Sequence, residues 1–279
     1  MNFRTVFVLL SLAFLASCSA LISDNTGKRT QSSSLIDFLY PNSQSRAEHK
    51  PEIPLLTLPV KVGVAFVPNN NKYNTGINNK DQLELLEKVK KAFVKYDYID
   101  RIEIIPSTYL AGGDGFATLE QVGRLYDVDI MALVSYDQVS QSLENNAALL
   151  YWTIVGMYLI PGNDNSVQTF VDTAVFDIKS KKLLFRAPGI SKLEKRTTAV
   201  SIDSVLSEKS LEGFSLAVAD MTTNLDAELA QFKRRVKEEN IAKVEQRDGY
   251  SGGSSGQYFL TLLLIMFFAK LGLGNSRRV

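Results

Sequence analysis

Two apolar runs bracket this chain, and neither suits the surface of a soluble domain. Residues 6–16, VFVLLSLAFLA, follow Arg4 and precede small residues. The run is too short to span a bilayer comfortably. It has the order of a secretory signal: positive start, apolar middle, small-residue end. Residues 258–273, YFLTLLLIMFFAKLGL, are broken only by Thr261 and Lys270. A helix here has no polar face and belongs in a core or a membrane. Its sixteen residues rise about 24 Å against roughly 30 Å of hydrocarbon. Lys270 can snorkel to the surface, and Arg277 and Arg278 place the end on the cytoplasmic side. The stretch DGYSGGSSGQ, 248–257, is a flexible break that favours a membrane helix over a last core helix. A folded domain must therefore lie between the two runs.

The middle supplies such a domain. VKVGVAFVP, 60–68, predicts a first strand ended by proline. In 81–96, Leu83, Leu86, Val89, Ala92 and Phe93 fall at helical spacing with lysines opposite. RIEII, 101–105, predicts a second strand. Thr118 is placed to cap a helix over LEQVGRLYDV, and DIMALVSY, 129–136, predicts a third strand. This β-α-β-α-β order gives an α/β class with a small mixed sheet and packed helices. AALLYWTIVGMYLIP, 147–161, reads as a core strand or bent strand pair, with a core helix or membrane-inserting segment as alternatives. GNDN, 162–165, reads as a turn. QTFVDTAVFD and KLLFRAPG read as a hairpin, and ISKLEKRTTAV as a further edge strand. A long helix is expected from about 204 to 246, packing through Leu216, Met221, Leu225 and Leu229. After Phe232 it is mostly charged and is expected to project. The segment 18–58 reads as a polar tether, interrupted by SLIDFLYP, which suits a docking segment better than a partner-binding motif.

The residue inventory narrows the chemistry. Lysine and arginine number 31 and aspartate and glutamate 30, so no nucleic-acid footprint exists. One cysteine, Cys18, excludes an internal disulfide. The single histidine, His49, sits in a polar stretch. GGDG, 112–115, lacks the lysine of a phosphate loop. Asp127, Asp129 and Asp137 flank an apolar strand and read as strand-end residues. Asp172 and Asp177, five apart on a strand, face opposite sides and make no carboxylate pair. No catalytic residue, metal site or cofactor is expected, and the chain is read as a non-enzyme.

Leu15-Ala16-Ser17-Cys18 resembles the bacterial lipobox. The resemblance implies cleavage between Ser17 and Cys18 by signal peptidase II and acylation of Cys18 by the lipoprotein modification enzymes. Ser19 after the cysteine implies the outer membrane. The order VGVAFVP, RIEIIPSTYL, LEQVGRLYDVDIMALVSY and AVFDIKSKKLLFRAPG resembles the module of the curli-secretion lipoprotein and of TolB amino-terminal domains. Such modules bind or assemble. Gly252-Gly253, a short apolar helix, then Arg277-Arg278 resembles the GlyGly-CTERM sorting signal. That signal implies processing by a rhombosortase, an intramembrane protease of the rhomboid type.

Taken together, the chain resembles the rhombotarget lipoprotein family. The resemblance implies a signal peptide at 1–17 and a lipid-anchored linker at 18–58. An α/β domain over 59–203 follows, then a long helix over 204–247, a Gly/Ser linker over 248–257 and a sorting tail over 258–279. It further implies a non-enzymatic lipoprotein of the Gram-negative envelope, in the inner membrane as precursor and then in the outer membrane or at the cell surface. Membrane lipid is an expected partner, as is a second copy or another envelope protein. The alternative is a permanently double-anchored tether or sensor.

Overall fold

Alternation along β3 (Val60–Phe66) sorts its side chains onto two covered faces. Val64 and Phe66 enter one hydrophobic cluster, and Ala65 and the following Val67 enter another. β5 (Ile130–Glu144) repeats the pattern, with Ile130, Ala132, Val134 and Tyr136 on the first face and Met131 and Leu133 on the second. A sheet apolar on both faces needs helices on both. The computed structural model describes residues 29–41, 52–69, 77–145 and 158–247, and it has this layered form.

Among the described residues the main sheet has six strands, in the order β4 (Ile99–Ile104), β3, β5, β6 (Asn163–Asp177) and β7 (Lys182–Thr197), with β1 (Arg29–Ser32) paired to β5. β3 runs parallel to β4 and β5, whereas β5, β6 and β7 are antiparallel. The sheet is therefore mixed, as the α/β expectation requires. β6 pairs with all of β5, so β3 and β1 share its other edge. β3 takes 130–134 and β1 takes 137–140.

On the first face lie α2 (Asn79–Phe93) and the long α4 (Ile202–Glu239). On the second lie α1 (Leu35–Leu39) and α3 (Phe116–Tyr126). The docking segment expected at SLIDFLYP is α1. Ser34 caps it through the Asp37 amide, and Phe38 and Leu39 are buried. α4 seats on the edge strand β7. The Ile190 amide donates to Asp220 Oδ2 at 3.0 Å, and Asn224 Nδ2 donates to the Pro188 carbonyl at 2.8 Å. Asp220 thereby satisfies an edge amide that would otherwise lack a sheet partner. Gly189 permits the approach: a Cβ there would stand 2.1 Å from the Ala217 carbonyl oxygen and 2.5 Å from the Met221 nitrogen.

Several elements differ from expectation. Arg29–Ser32, read as tether, is a strand, because the polar half of β5 offers an open edge. GNDN is not a turn. Asn163 and Asn165 are buried inside β6, and Asn165 Nδ2 donates to Thr197 Oγ1 at 2.7 Å. KLLFRAPG and ISKLEKRTTAV form one strand, which passes through Pro188 because β7 is an edge. α3 starts at Phe116, and Thr118 Oγ1 instead accepts from the Asp114 amide at 2.7 Å. Of 147–161, only 158–161 is described. There Tyr158 and Leu159 are helical and exposed, not core strand.

The tail of α4 does not project. Phe232 is buried and Val236 packs on the first cluster. The chain then turns at Asn240, in left-handed backbone, and returns as β8 (Lys243–Gln246). β8 pairs in parallel with β2 (Leu55–Leu58) to make a separate two-stranded ribbon.

Candidate functional site

Four sequence patterns aim apolar side chains at one space. In α4, Leu225, Leu229, Phe232 and Val236 recur at spacings of four, three and four, which is one helix face. In α2, Val89 and Phe93 lie one turn apart. In the sheet, Val62 with Val64, and Ile130 with Ala132, are alternate residues of adjacent strands. From the ribbon come Ile53, Leu56, Leu58 and Val244. Between them lies a cavity of about 1130 Å³. Sites for small molecules usually span roughly 300–1000 Å³. Protein interiors carry few voids larger than a water molecule. The space is open on one side, where Lys233, Lys237, Lys243 and Glu245 are exposed, and it is of the size in which small molecules bind.

The ribbon is its softest wall. Every residue of β8 is exposed, as are Ile53 and Leu55. Two strands alone are marginally stable. The ribbon's two segments are joined by their pairing and by the Lys243 amide on the Pro54 carbonyl and the Arg247 amide on the Leu58 carbonyl, both 2.8 Å, and buried Leu56 and the Arg247–Asp129 ion pair at 3.4 Å tie it to the domain.

Polar groups cluster where α4 meets β8. Lys233, Lys237 and Lys243 line the cavity and are exposed, so they stand at its open rim with Glu245. The Lys233 ammonium lies 3.7 Å from the centre of the Tyr98 ring, a cation–π distance. Tyr98 in turn stacks on Tyr96 at 5.1 Å, and the Tyr96 hydroxyl donates to Asp226. Burial pushes the Lys233 ammonium below its ordinary value, with Lys237 adding to this and Asp226 opposing it. Burial also raises the Tyr98 phenol. Among the described residues the ionisable groups of the lining are Tyr98, Lys233, Lys237, Lys243 and Glu245.

The aspartates singled out in the sequence have structural partners. Asp127 ends α3 in left-handed backbone and accepts from Lys61 at 2.6 Å and Arg101 at 2.7 Å. These two cations hold its carboxyl at about 2. Asp137 sits well along β5, opposite Phe170, away from Asp129 before its start. Asp172 pairs with Arg186 at 3.1 Å, and Asp177 accepts from the Ser180 amide at 2.8 Å in the β6–β7 turn. Among the described residues no group of three or more His, Cys, Asp or Glu could hold a metal ion. None of their helices is long and apolar enough to cross a membrane.

Ser17, Cys18, His49, Gly252, Gly253, the apolar run 258–273, Arg277 and Arg278 lie outside the described residues. The cavity was not among the sequence expectations. Its signal was the apolar face of α4 continuing past Phe232 to Val236, followed by Ile241, Ala242 and Val244.

No protein-family model matches the chain, and no curated protein matches it. Solved structures do. A Helicobacter pylori protein, provisionally described as a neuraminyllactose-binding hemagglutinin homologue, matches at TM-score 0.38 and 8% identity, over 67% of this chain and 97% of that one. The PelC dodecamer from Paraburkholderia phytofirmans matches at TM-score 0.28 and 10% identity, over 71% and 97%. Lipoprotein GNA1162 from Neisseria meningitidis matches at TM-score 0.24 and 10% identity, over 54% and 96%. All three are distant likenesses.

Proposed function

We propose that this chain is a bacterial envelope lipoprotein whose α/β domain is a non-catalytic binding module. The observation that carries the binding role is the apolar cavity between the sheet, α2, α4 and the ribbon. Its walls are mostly aliphatic and aromatic, and its ionisable groups, Tyr98, three lysines and Glu245, stand with the open rim and not on the sheet floor. The anchor is acyl chain on Cys18, supported by the small residues Ala16 and Ser17 before the sole cysteine. A lipid anchor with more than one chain is stable, at about 0.8 kcal/mol per buried methylene. The tail is a removable sorting signal. Gly252 and Gly253 form a weak point before an apolar run too short for a comfortable span, and a rhomboid-type protease cuts near them.

Intact-mass analysis of the mature protein tests both ends. The expected mass begins at an acylated Cys18 and lacks 258–279. A mass retaining the tail in wild-type cells rejects the sorting signal in favour of the double-anchored tether. Leucine at both Gly252 and Gly253 is expected to leave a longer membrane form, and unchanged processing would reject that site. A Cys18→Ala chain is expected to stay unacylated with its signal attached.

A further inference from the structure

We infer that the cavity takes the acyl chain of an anionic amphiphile, with its negative headgroup at the lysine rim. This deepens the binding-module reading and rests on it. Apolar shape comes first. Sheet, helix and ribbon supply aliphatic and aromatic walls, with Phe185 and Phe232 in ring contact at 5.3 Å. Most of the wall is apolar, so water inside finds few hydrogen-bond partners. A flexible hydrocarbon chain fits such walls without asking for hydrogen bonds.

Charge selects the headgroup. Lys233, Lys237 and Lys243 form no ion pair among the described residues. Among the described residues Glu245 is the one acid of the lining and Asp226 acts on Lys233 from beside it, so the rim carries three ammonium groups against two carboxylates. Lys233 is already positioned, since the Tyr98 ring holds it at the edge of the apolar space. Its partial burial weakens its hydration, and an anion beside it would restore what burial removes. A neutral or cationic headgroup would leave these charges unanswered. Carboxylate and phosphate headgroups share the chemistry the rim reads, and the simplest occupant is a long-chain carboxylate.

Photo-crosslinking tests this on the full-length protein in nanodiscs of zwitterionic phospholipid. The probes are a photoactivatable long-chain fatty acid and its methyl ester, and adducts are located by peptide mass spectrometry. The fatty acid is expected on peptides from the end of α4 and from β8. The combined variant Lys233→Gln, Lys237→Gln, Lys243→Gln should lower fatty-acid capture about tenfold and leave ester capture unchanged. The three side chains are exposed and the core is untouched, but Lys233→Gln also removes the contact with the Tyr98 ring, and the ester arm reads any loss that does not come from headgroup charge. Ala132→Trp, which fills the cavity from the sheet, should lower capture of both probes.

Adducts absent from the lining, equal capture of acid and ester, or capture indifferent to the three lysines would each overturn the inference. A peptide of this chain's own tail or of a second copy crosslinked in the cavity would overturn it as well. The acylation state of Cys18, read by intact mass on the same sample, separates the two proposals. An unacylated Cys18 with a loaded cavity sinks only the lipoprotein reading. An acylated Cys18 with an empty cavity sinks only this one.

Discussion

α4 seats on β7 at Gly189, one turn before the helix reaches the cavity at Leu225. Replacing Gly189 with alanine is the sharpest test of that geometry. A Cβ at 189 would lie 2.1 Å from Ala217 O, 2.5 Å from Met221 N and 2.5 Å from Met221 Cβ. Two of these are backbone atoms of a helix and cannot swing aside as a side-chain tip would. α4 must move off the strand. Overpacking of this kind costs about 1–3 kcal/mol. Lifting α4 also stretches the bonds from Ile190 to Asp220 and from Asn224 to Pro188, each worth about 1 kcal/mol. The expected loss is about 3–5 kcal/mol, a large part of the roughly 5–15 kcal/mol that holds a domain. Urea denaturation followed by circular dichroism reads it as a lower midpoint, and heating as a Tm lower by roughly 10 °C. Gly112→Ala is the control. Gly112 has φ +68° and nothing within 4 Å of an added Cβ, so only left-handed strain applies, about 1 kcal/mol. A Gly189→Ala loss no larger than that of Gly112→Ala would refute the steric reasoning.

Three further outcomes follow from the same contacts. Phe232→Ala should cost about 3 kcal/mol in the same urea experiment, because Phe232 is buried against Phe185; a projecting helix end would make it neutral. Asp127→Asn should lower stability in a pH-dependent way. The folded pKa of Asp127 lies at about 2, below its usual 3.8, through Lys61 and then Arg101. Its contribution is therefore complete above the usual value and disappears as pH falls through about 2, so wild-type and variant melting curves should converge in strong acid. Leu39→Ala should cost about 2–4 kcal/mol, because Leu39 sits in the second-face core; a free tether would lose nothing.

What the sequence made legible was whatever a local pattern encodes. β3, α2 and the start of β5 carry complete apolar periodicity within a few residues, and each is where the pattern puts it. The hairpin at Asp177 was readable from its turn chemistry, and its Lys181 has left-handed φ of 58°. The polar ends of β5 and β6 were not readable. Gln138 donates to Thr169 Oγ1 at 2.7 Å and to the Ser210 carbonyl at 3.0 Å, beneath α4. Side chains that a local reading assigns to solvent are buried there because a helix far along the chain satisfies them. β1 is a similar case, since RTQS has no apolar signal and gains its strand from a partner far along the chain, Thr30 pairing with Val139. The cavity escaped for the same reason. It is a relation among four elements, and each contributes residues that alone read as core.

The places where the described fold joins its two ends bear on how a lipid ligand would be met. β1 lies on β5 at Ser140, and the cavity lies at Ile130, ten residues along the strand or roughly 33 Å. Cys18 precedes Arg29 by eleven residues, and Tyr258 follows Arg247 by eleven, each a reach of at most about 40 Å. On the proposed reading, the precursor is held to the bilayer near both ends of β5. The cavity and its lysine rim then stay within one tail length of the lipid surface. On the same reading, trimming at Gly252-Gly253 would remove the tether next to β8 and leave the one next to β1, so the cavity end of the sheet would be released while Cys18 held the protein. On that reading the ribbon that covers the cavity is the element to which the removable tether is joined, since β8 ends at Gln246 and Tyr258 begins its apolar run eleven residues after Arg247.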